Sequence, residues 1–408
     1  MFALKVLFIH KEFPGQFKHI VRRLSSNGDQ VVGIGQSCEP AFDTVRFCRY
    51  KPAPLPSTAH PLAQEFDLAV QNGHTVADQC HRLRESGFTP DIVVGHTGWG
   101  ATLFVKDVWP STPLLGYFEF FYHLQACDID FDPEFPPPLD RVRHLRTRNA
   151  INLVALEAAD WGLTPTHWQH QRYPEHYRSR ISVIHEGIDT DNVKPNASAR
   201  LYLTGGLSLG TNDPVITFCA RSLEPHRGFH TFMRALPGIL RRLPKARVLI
   251  VGADEVSYGS LPEGGASWRE QLTAELQGSI DLSRVHFLGW LPFRFYLTVL
   301  QISTVHVYLT YPFILSWSLL EALSAGCLVV GSRTAPVEEV VTHGINGYLV
   351  DFFDVEALAD RVVSAVQAGV HGSVRNAARA SVIERFDLSR AALPAYLKML
   401  HRVSGQPN

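Results

Sequence analysis

The stretch Lys5–Gly35, KVLFIHKEFPGQFKHIVRRLSSNGDQVVGIG, decides the fold. KVLFIH is a short apolar run of the kind that forms a buried strand. FKHIVRRLSSNG sets Phe17, Ile20, Val21 and Leu24 at helical spacing, which predicts an amphipathic helix. QVVGIG then reads as a second strand. A strand, a helix and a strand in this order make a β-α-β unit, and a series of such units predicts a parallel sheet covered by helices on both faces. The alternation continues with a helix around 61–86, a strand in PDIVVGH, a helix near 100–109 and a strand in TPLLGYFEF. An acidic, proline-rich loop, DIDFDPEFPPP, is followed by the long helix RVRHLRTRNAINLVALEAAD and the strands WGLTPT and ISVIHEGID.

Near residue 195 the character changes. KPNASARLYLTGGLSLGTNDP is rich in Gly, Asn, Ser and Pro and reads as a linker with a surface loop. A second β-α-β series follows: strands PVITFCA, ARVLIVGAD, VHFLG, VHVYLT, CLVVGS and GYLVD, with helices between them, VEEVVTHG among these. The predicted fold is α/β, two Rossmann-like doubly wound domains. Residues 1–195 form the first, residues 196–385 the second, and 386–408 a C-terminal helix. In such sheets ligands bind beyond the carboxyl ends of the strands, where strand order reverses.

The composition agrees with this. The chain has 408 residues, 45% hydrophobic and 19% charged, enough for about two or three domains and unlike a disordered or fibrous chain. Lys plus Arg number 38 against 39 Asp plus Glu, so no basic field favours nucleic acid. The N-terminal MFALKVLFIHKEF lacks the cationic segment and small-residue cleavage site of a signal peptide, and no window approaches about 18 uninterrupted apolar residues. The six cysteines form no C-x-x-C pair and read as reduced thiols, which points to a cytoplasmic protein. The 19 histidines show no H-E-x-x-H spacing, so no metal is expected.

Several positions carry candidate chemistry. Gly15, in FPGQF between a strand and a helix, would let backbone N–H groups approach an anion; it would equally serve as a turn glycine. There is no G-x-G-x-x-G, which disfavours a dinucleotide oxidoreductase. In CARSLEPHRG, Arg221 follows a strand and Arg227 opens a helix, a guanidinium pair suited to a diphosphate; as solvated surface arginines they would need no ligand. In TYPFILSWSLLEALSAG, Glu321 lies on a helix at the ligand edge, where a carboxylate can hold the hydroxyls of a ribose. His96 ends one strand and Glu119 closes another. The aromatics of FEFFYH, with Trp99 and Trp109, would wall a pocket or fill a core. The basic run RVRHLRTR reads as a solvated helix face, or as a patch for an anionic acceptor or a membrane surface.

Residues 215–350 resemble the C-terminal domain of glycosyltransferase family 4, the retaining family with the GT-B fold of two domains facing across a cleft. ARSLEPHRG, ARVLIVGAD, VHFLGWLP and SLLEALSAGCLVVGSRTAPVEEVVTHGINGYLV stand in family order. ISVIHEGIDT is similar to the family's interdomain V-I-x-N-G-I-D segment, with Glu186 in place of Asn. The resemblance implies metal-independent transfer of a sugar from a UDP- or GDP-sugar to a hydroxyl of a glycan, lipid-linked or small-molecule acceptor, with retention of configuration. It implies that Arg221 and Arg227 neutralise the diphosphate, with Arg227 in the place of a lysine, and that Gly15 approaches it from the first domain. Glu321 would hold the ribose, and the backbone around Trp290 and Leu291 would meet the base. The final helix would cross back to the first domain. The first glutamate of the family's E-x7-E motif falls on Phe313, which marks a subgroup whose donor-sugar contact differs; the N–H groups of Leu315 and Ser316 then stand in for it. His96 and Glu119 become candidates for the acceptor or a donor hydroxyl. A sugar-nucleotide epimerase or phosphorylase on the same fold, and a non-catalytic glycosyltransferase-like partner, remain alternatives. Peripheral contact with the inner face of a membrane is compatible with all of these, and the oligomeric state is left open.

Overall fold

In the computed structural model, which describes residues 3–51, 54, 60–369 and 372–405, the opening alternation forms as its pattern predicts. Lys5–Ile9 is a strand with Val6 to Ile9 buried. Lys18–Asn27 is a helix that buries Ile20, Val21 and Leu24 and ends at Gly28, whose φ of 87° is the left-handed stop that glycine adopts readily. Gln30–Gly35 is the next strand.

The first sheet has seven strands, in the order Arg46–Arg49, Gln30–Gly35, Lys5–Ile9, Ile92–His96, Leu114–Tyr117, Trp161–Thr164 and Ile181–Val183, all parallel. Successive side chains point to opposite faces, so the central strand serves two cores. Leu7 and Ile9 pack with Val76, Cys80 and Leu83 of the helix Gln64–Glu85. Val6 and Phe8 pack with Ile20, Val21 and Leu24, and with Tyr396, Met399 and Leu400 of the last helix, Leu393–Ser404. Burying each such large apolar side chain contributes about 1.5–3 kcal/mol.

The second sheet has six parallel strands, in the order Val285–Gly289, Arg247–Ala253, Val215–Ser222, Val305–Tyr308, Val329–Ser332 and Tyr348–Val350. In each sheet the first strand lies beside a later one that starts the other half. The switch falls between Lys5–Ile9 and Ile92–His96 in the first sheet, and between Val215–Ser222 and Val305–Tyr308 in the second.

The chain divides into two compact units, residues 1–187 with 388–408, and residues 188–387. The division falls at 187/188 rather than at 195 because the intervening segment packs on the second unit. Ile188 and Val193 are in its core, and the Arg379 guanidinium binds the carbonyls of Thr190 at 2.9 Å and Val193 at 3.0 Å. Two predicted helices shrink. Residues 100–109 are mostly turns with a short helix Val105–Val108. VEEVVTHG retains only the end of Ala335–Glu338, because the Asn346 side chain binds the Val340 carbonyl and the Thr342 N–H and draws that backbone into a turn.

Candidate active site

At the second unit's switch point the sequence RSLEPHRG leaves the strand, makes a short helical turn over Pro225–Arg227 and enters the helix Phe229–Arg242 through Gly228. Gly228 has φ of 67°, and a Cβ there would lie 2.3 Å from that of Leu309, so only glycine lets this loop lie against the neighbouring strand end. The turn places Arg227 inside the protein. It is 7% exposed and donates to Thr310 Oγ1 and to the Ile314 carbonyl, both at 3.0 Å. Its guanidinium lies over the Tyr258 ring, 5.2 Å from the centroid. Among the described residues no ion pair joins it to a carboxylate. Burial works against its charge, but the neighbouring Tyr308, Tyr258 and Glu224 outweigh that and raise its pKa. Glu224, fully buried, accepts from the backbone N–H groups of Ser257, Tyr258 and Gly259, which sets Tyr258 beside Arg227.

The other predicted donor residues of this unit are placed as follows. Arg221 lies in the strand Val215–Ser222 with its side chain exposed. Arg221 and Arg227 therefore differ sharply in environment, and the structure shows one buried guanidinium rather than a matched pair. Phe313 is buried and packs edge-on against Tyr258 at 4.9 Å and His226 at 6.0 Å, an aromatic cluster at the position where the resemblance puts a carboxylate. The Leu315 side chain belongs to the core. Ser316 caps the helix Trp317–Ser324, but its N–H, expected to face a ligand, is given to Tyr308 Oη at 3.0 Å. Glu321 sits on that helix and accepts from Tyr296 Oη at 2.8 Å. Trp290 is 75% exposed, while Leu291 packs against the core.

At the first unit's switch point His10 follows the strand Lys5–Ile9 directly and His96 ends the strand Ile92–His96. The His10 Nε2 lies 2.6 Å from Gln16 Oε1, Gln16 Nε2 donates to Glu119 Oε1 at 2.9 Å, and Glu119 Oε2 lies 3.5 Å from His96 Nε2. The Gly98 N–H donates to His96 Nδ1, which leaves Nε2 on the side of Glu119. Trp99 stacks on His96 at 4.0 Å and meets His10 edge-on. Burial lowers the His10 pKa to about 4, assisted by His96. Burial raises that of Glu119, but the hydrogen bonds and charge of His96, with the bond from Gln16, outweigh it, and the net shift is downward. Gly15, expected to face an anion, is packed against the His10 ring; a Cβ there would lie 2.1 Å from a ring carbon.

The structure thus brings His96 and Glu119 together, with His10 and Gln16, which the sequence reading missed. The signal for His10 was present: it is the last residue of the KVLFIH run, at the ligand edge of the switch strand. Tyr258, Tyr296 and Tyr308 were missed too, since their partners are distant in sequence. The basic run is not a uniform patch: Arg143 pairs with Asp140 and Arg148 with Glu65. No described helix is long and apolar enough to cross a membrane.

Two doubly wound parallel α/β units in one chain, each with polar side chains gathered beyond the strand ends at its switch point, define the GT-B class. Residues 27–193 match the Glycosyl transferase family 4 group and residues 213–368 the Glycosyl transferases group 1; the chain belongs to glycosyltransferase family 4. It is 28% identical over 199 residues to the GDP-mannose-dependent alpha-(1-6)-phosphatidylinositol monomannoside mannosyltransferase of Mycobacterium tuberculosis, an alignment covering 45% of this chain and 46% of that protein. The chain thus spans about half the length of the curated relatives it matches. Its fold is similar to that of a Rickettsia africae glycosyltransferase (TM-score 0.70, 15% identity, 99% of each chain). It is also similar to Anabaena HepE crystallised with UDP (TM-score 0.70, 16% identity, 98% of this chain and 100% of that one).

Proposed function

We propose that the protein is a retaining glycosyltransferase that moves a sugar from a nucleoside-diphosphate sugar to a hydroxyl acceptor, with no metal invoked. The observation that carries this is Arg227: a buried guanidinium, held by Thr310 and the Ile314 carbonyl, with no carboxylate paired to it among the described residues. Glu224 and the neighbouring tyrosines favour its charge but make no direct ion pair with it, so the guanidinium can still pair with a bound anion. The switch point of a doubly wound sheet is where a diphosphate binds. The relatives support the donor class: the Mycobacterium tuberculosis mannosyltransferase is named as GDP-mannose-dependent, and HepE was crystallised with UDP.

As the sugar leaves, negative charge grows on the departing diphosphate. Arg227 is already in place to meet it, so little reorganisation accompanies the step. The leaving diphosphate takes the proton of the attacking hydroxyl, and no pair of hydrolase-type carboxylates is needed. Glu321, oriented by Tyr296, would bind the ribose hydroxyls, with Arg221 at the solvent side of the phosphates. His96 and Glu119 of the first unit would face the acceptor. Cytoplasmic location, with peripheral contact at a membrane through the exposed part of the helix Leu139–Ala158, completes this reading.

The test is turnover of UDP- and GDP-sugars, including slow hydrolysis without acceptor. Arg227→Ala should lower kcat by about 30- to 1000-fold, as loss of one charge-stabilising donor does, while Arg227→Lys retains part of it. Unchanged turnover in folded Arg227→Ala protein would refute the assignment.

A further inference from the structure

The first unit contains a pocket of about 290 Å³ beside the His96–Glu119 pair. Trp99 and Glu119 line it from the strand ends, Asn72 from the helix Gln64–Glu85, and Arg148 from the helix Leu139–Ala158, with Glu65 and Tyr122 at its edge. Its polar groups are unevenly used. Asn72 is 4% exposed. Its Nδ2 donates to the Trp99 carbonyl at 3.1 Å, and this bond fixes which end of the amide is oxygen. The Oδ1 is buried and has no hydrogen-bond partner. A buried acceptor left in that state costs about 1–3 kcal/mol. Each Glu119 oxygen faces one protein group, Gln16 or His96, and a carboxylate oxygen has room for a second donor. Both groups are therefore waiting for donors, and the complementary ligand is rich in hydroxyls.

The charges narrow the class. Two carboxylates, Glu65 and Glu119, line the pocket with one guanidinium. That guanidinium is committed: Arg148 pairs with Glu65 at 3.1 Å and lies over the Tyr122 ring at 4.0 Å. His144 also turns to Glu65, at 3.6 Å. His96 faces Glu119, and His10 behind it is neutral at pH 7. A phosphate would meet two carboxylates and no uncommitted cation. The volume lies at the small end of ligand pockets, which run from about 300 to 1,000 Å³, and suffices for one ring; the polar lining, not the volume, disfavours an acyl chain. The indole of Trp99 offers the flat apolar surface that the C–H face of such a ring covers.

We propose that this pocket binds a single uncharged polyhydroxylated ring, a sugar or cyclitol unit, through Asn72 Oδ1 and Glu119, and rejects the phosphate esters of the same ring. As the acceptor site it rests on the transferase reading; as a binding site it is measured without it. The experiment is saturation-transfer NMR on the full chain with myo-inositol, methyl α-mannopyranoside and methyl α-glucopyranoside, each beside its monophosphate. At least one uncharged ring should receive saturation, with its ester at least tenfold weaker. Asn72→Leu, which keeps the shape and removes the acceptor, and Glu119→Gln, which exchanges an acceptor for a donor, should each weaken it about tenfold. Asn72→Ser serves in place of Asn72→Leu if the latter fails to fold. An ester that binds as well as its parent ring, absence of binding by every ring, or signals unchanged in both variants would overturn the proposal. A thermal-shift titration with UDP and GDP on the same preparation separates the two readings. Ring binding without a nucleotide shift keeps the pocket and removes the transferase; a nucleotide shift without ring binding does the reverse.

Discussion

His10 and Glu119 show how burial and partners set charge at one site. His10 is 4% exposed and its pKa falls to about 4, so the folded protein holds it neutral while the unfolded chain titrates it near 6.5. Between those values the unfolded state binds more protons, and stability must fall as pH falls. The window from 6.5 to 4 is worth about 3 kcal/mol at 1.36 kcal/mol per unit. Glu119 acts in the same direction: its folded pKa is lowered, so its contribution is present above the unfolded carboxylate value and is lost as pH drops through the folded one. His306, fully buried with its pKa lowered to about 3, adds a further acid-side loss in the second unit. Urea unfolding at pH 7, 5.5 and 4.5 should therefore show a steep decline that is shallower by about 2 kcal/mol in His10→Asn, since the lowest of these values stops short of the folded pKa. An equal slope in that variant would place the titrating group elsewhere.

The turn that carries Arg227 concentrates the backbone demands of the second unit. Gly228 combines a left-handed φ with a Cβ-to-Cβ approach of 2.3 Å to Leu309, whereas Gly278 has φ of 78° with nothing within 4 Å. Gly278→Ala should cost about 1–2 kcal/mol, the strain of a left-handed residue alone. Gly228→Ala adds overpacking and should cost about 2–5 kcal/mol, with weaker binding of nucleoside diphosphates as Arg227 shifts. Equal losses in thermal melts of the two variants would show that the close approach does not matter. The same element shows what sequence can and cannot carry. The strands and long helices were legible because apolar periodicity reports burial directly, and Arg227 was legible because it stands between a strand and a helix. That Arg221 turns to solvent while Arg227 turns inward depends on the Pro225–Arg227 turn, which periodicity does not describe. Tyr258 lies in a loop without periodicity, and its place is set by three backbone bonds to Glu224, 33 to 35 residues away. Phe313 was legible as a departure from the family motif, but its aromatic neighbours His226 and Tyr258 were not.

Over the whole molecule, the chain builds most of the first unit, then all of the second, and returns to the first for its last residues. The first unit's sheet has a face that the first 187 residues cover only in part, and the helix Leu393–Ser404 completes it. Tyr396, Met399 and Leu400 join Val6, Phe8 and Phe17 in one cluster, and Leu400 is fully buried. The pattern of PAYLKMLHRV shows an amphipathic helix but not which sheet receives it; the return to the first domain was implied only by the family resemblance, and it rests on packing against residues far away along the chain. Leu400→Ala should therefore destabilise the first unit by about 2–5 kcal/mol, the usual range for a buried leucine. Native-state hydrogen exchange gives the location of the effect as well as its size. Amides of Lys5–Ile9 and Ile92–His96 should lose protection in the variant, while those of Val215–Ser222 and Val305–Tyr308 keep theirs. Loss of protection in the second sheet to the same degree would mean that the returning helix stabilises the chain as one cooperative body, and that the contacts of Leu400 with the first core do not account for its role.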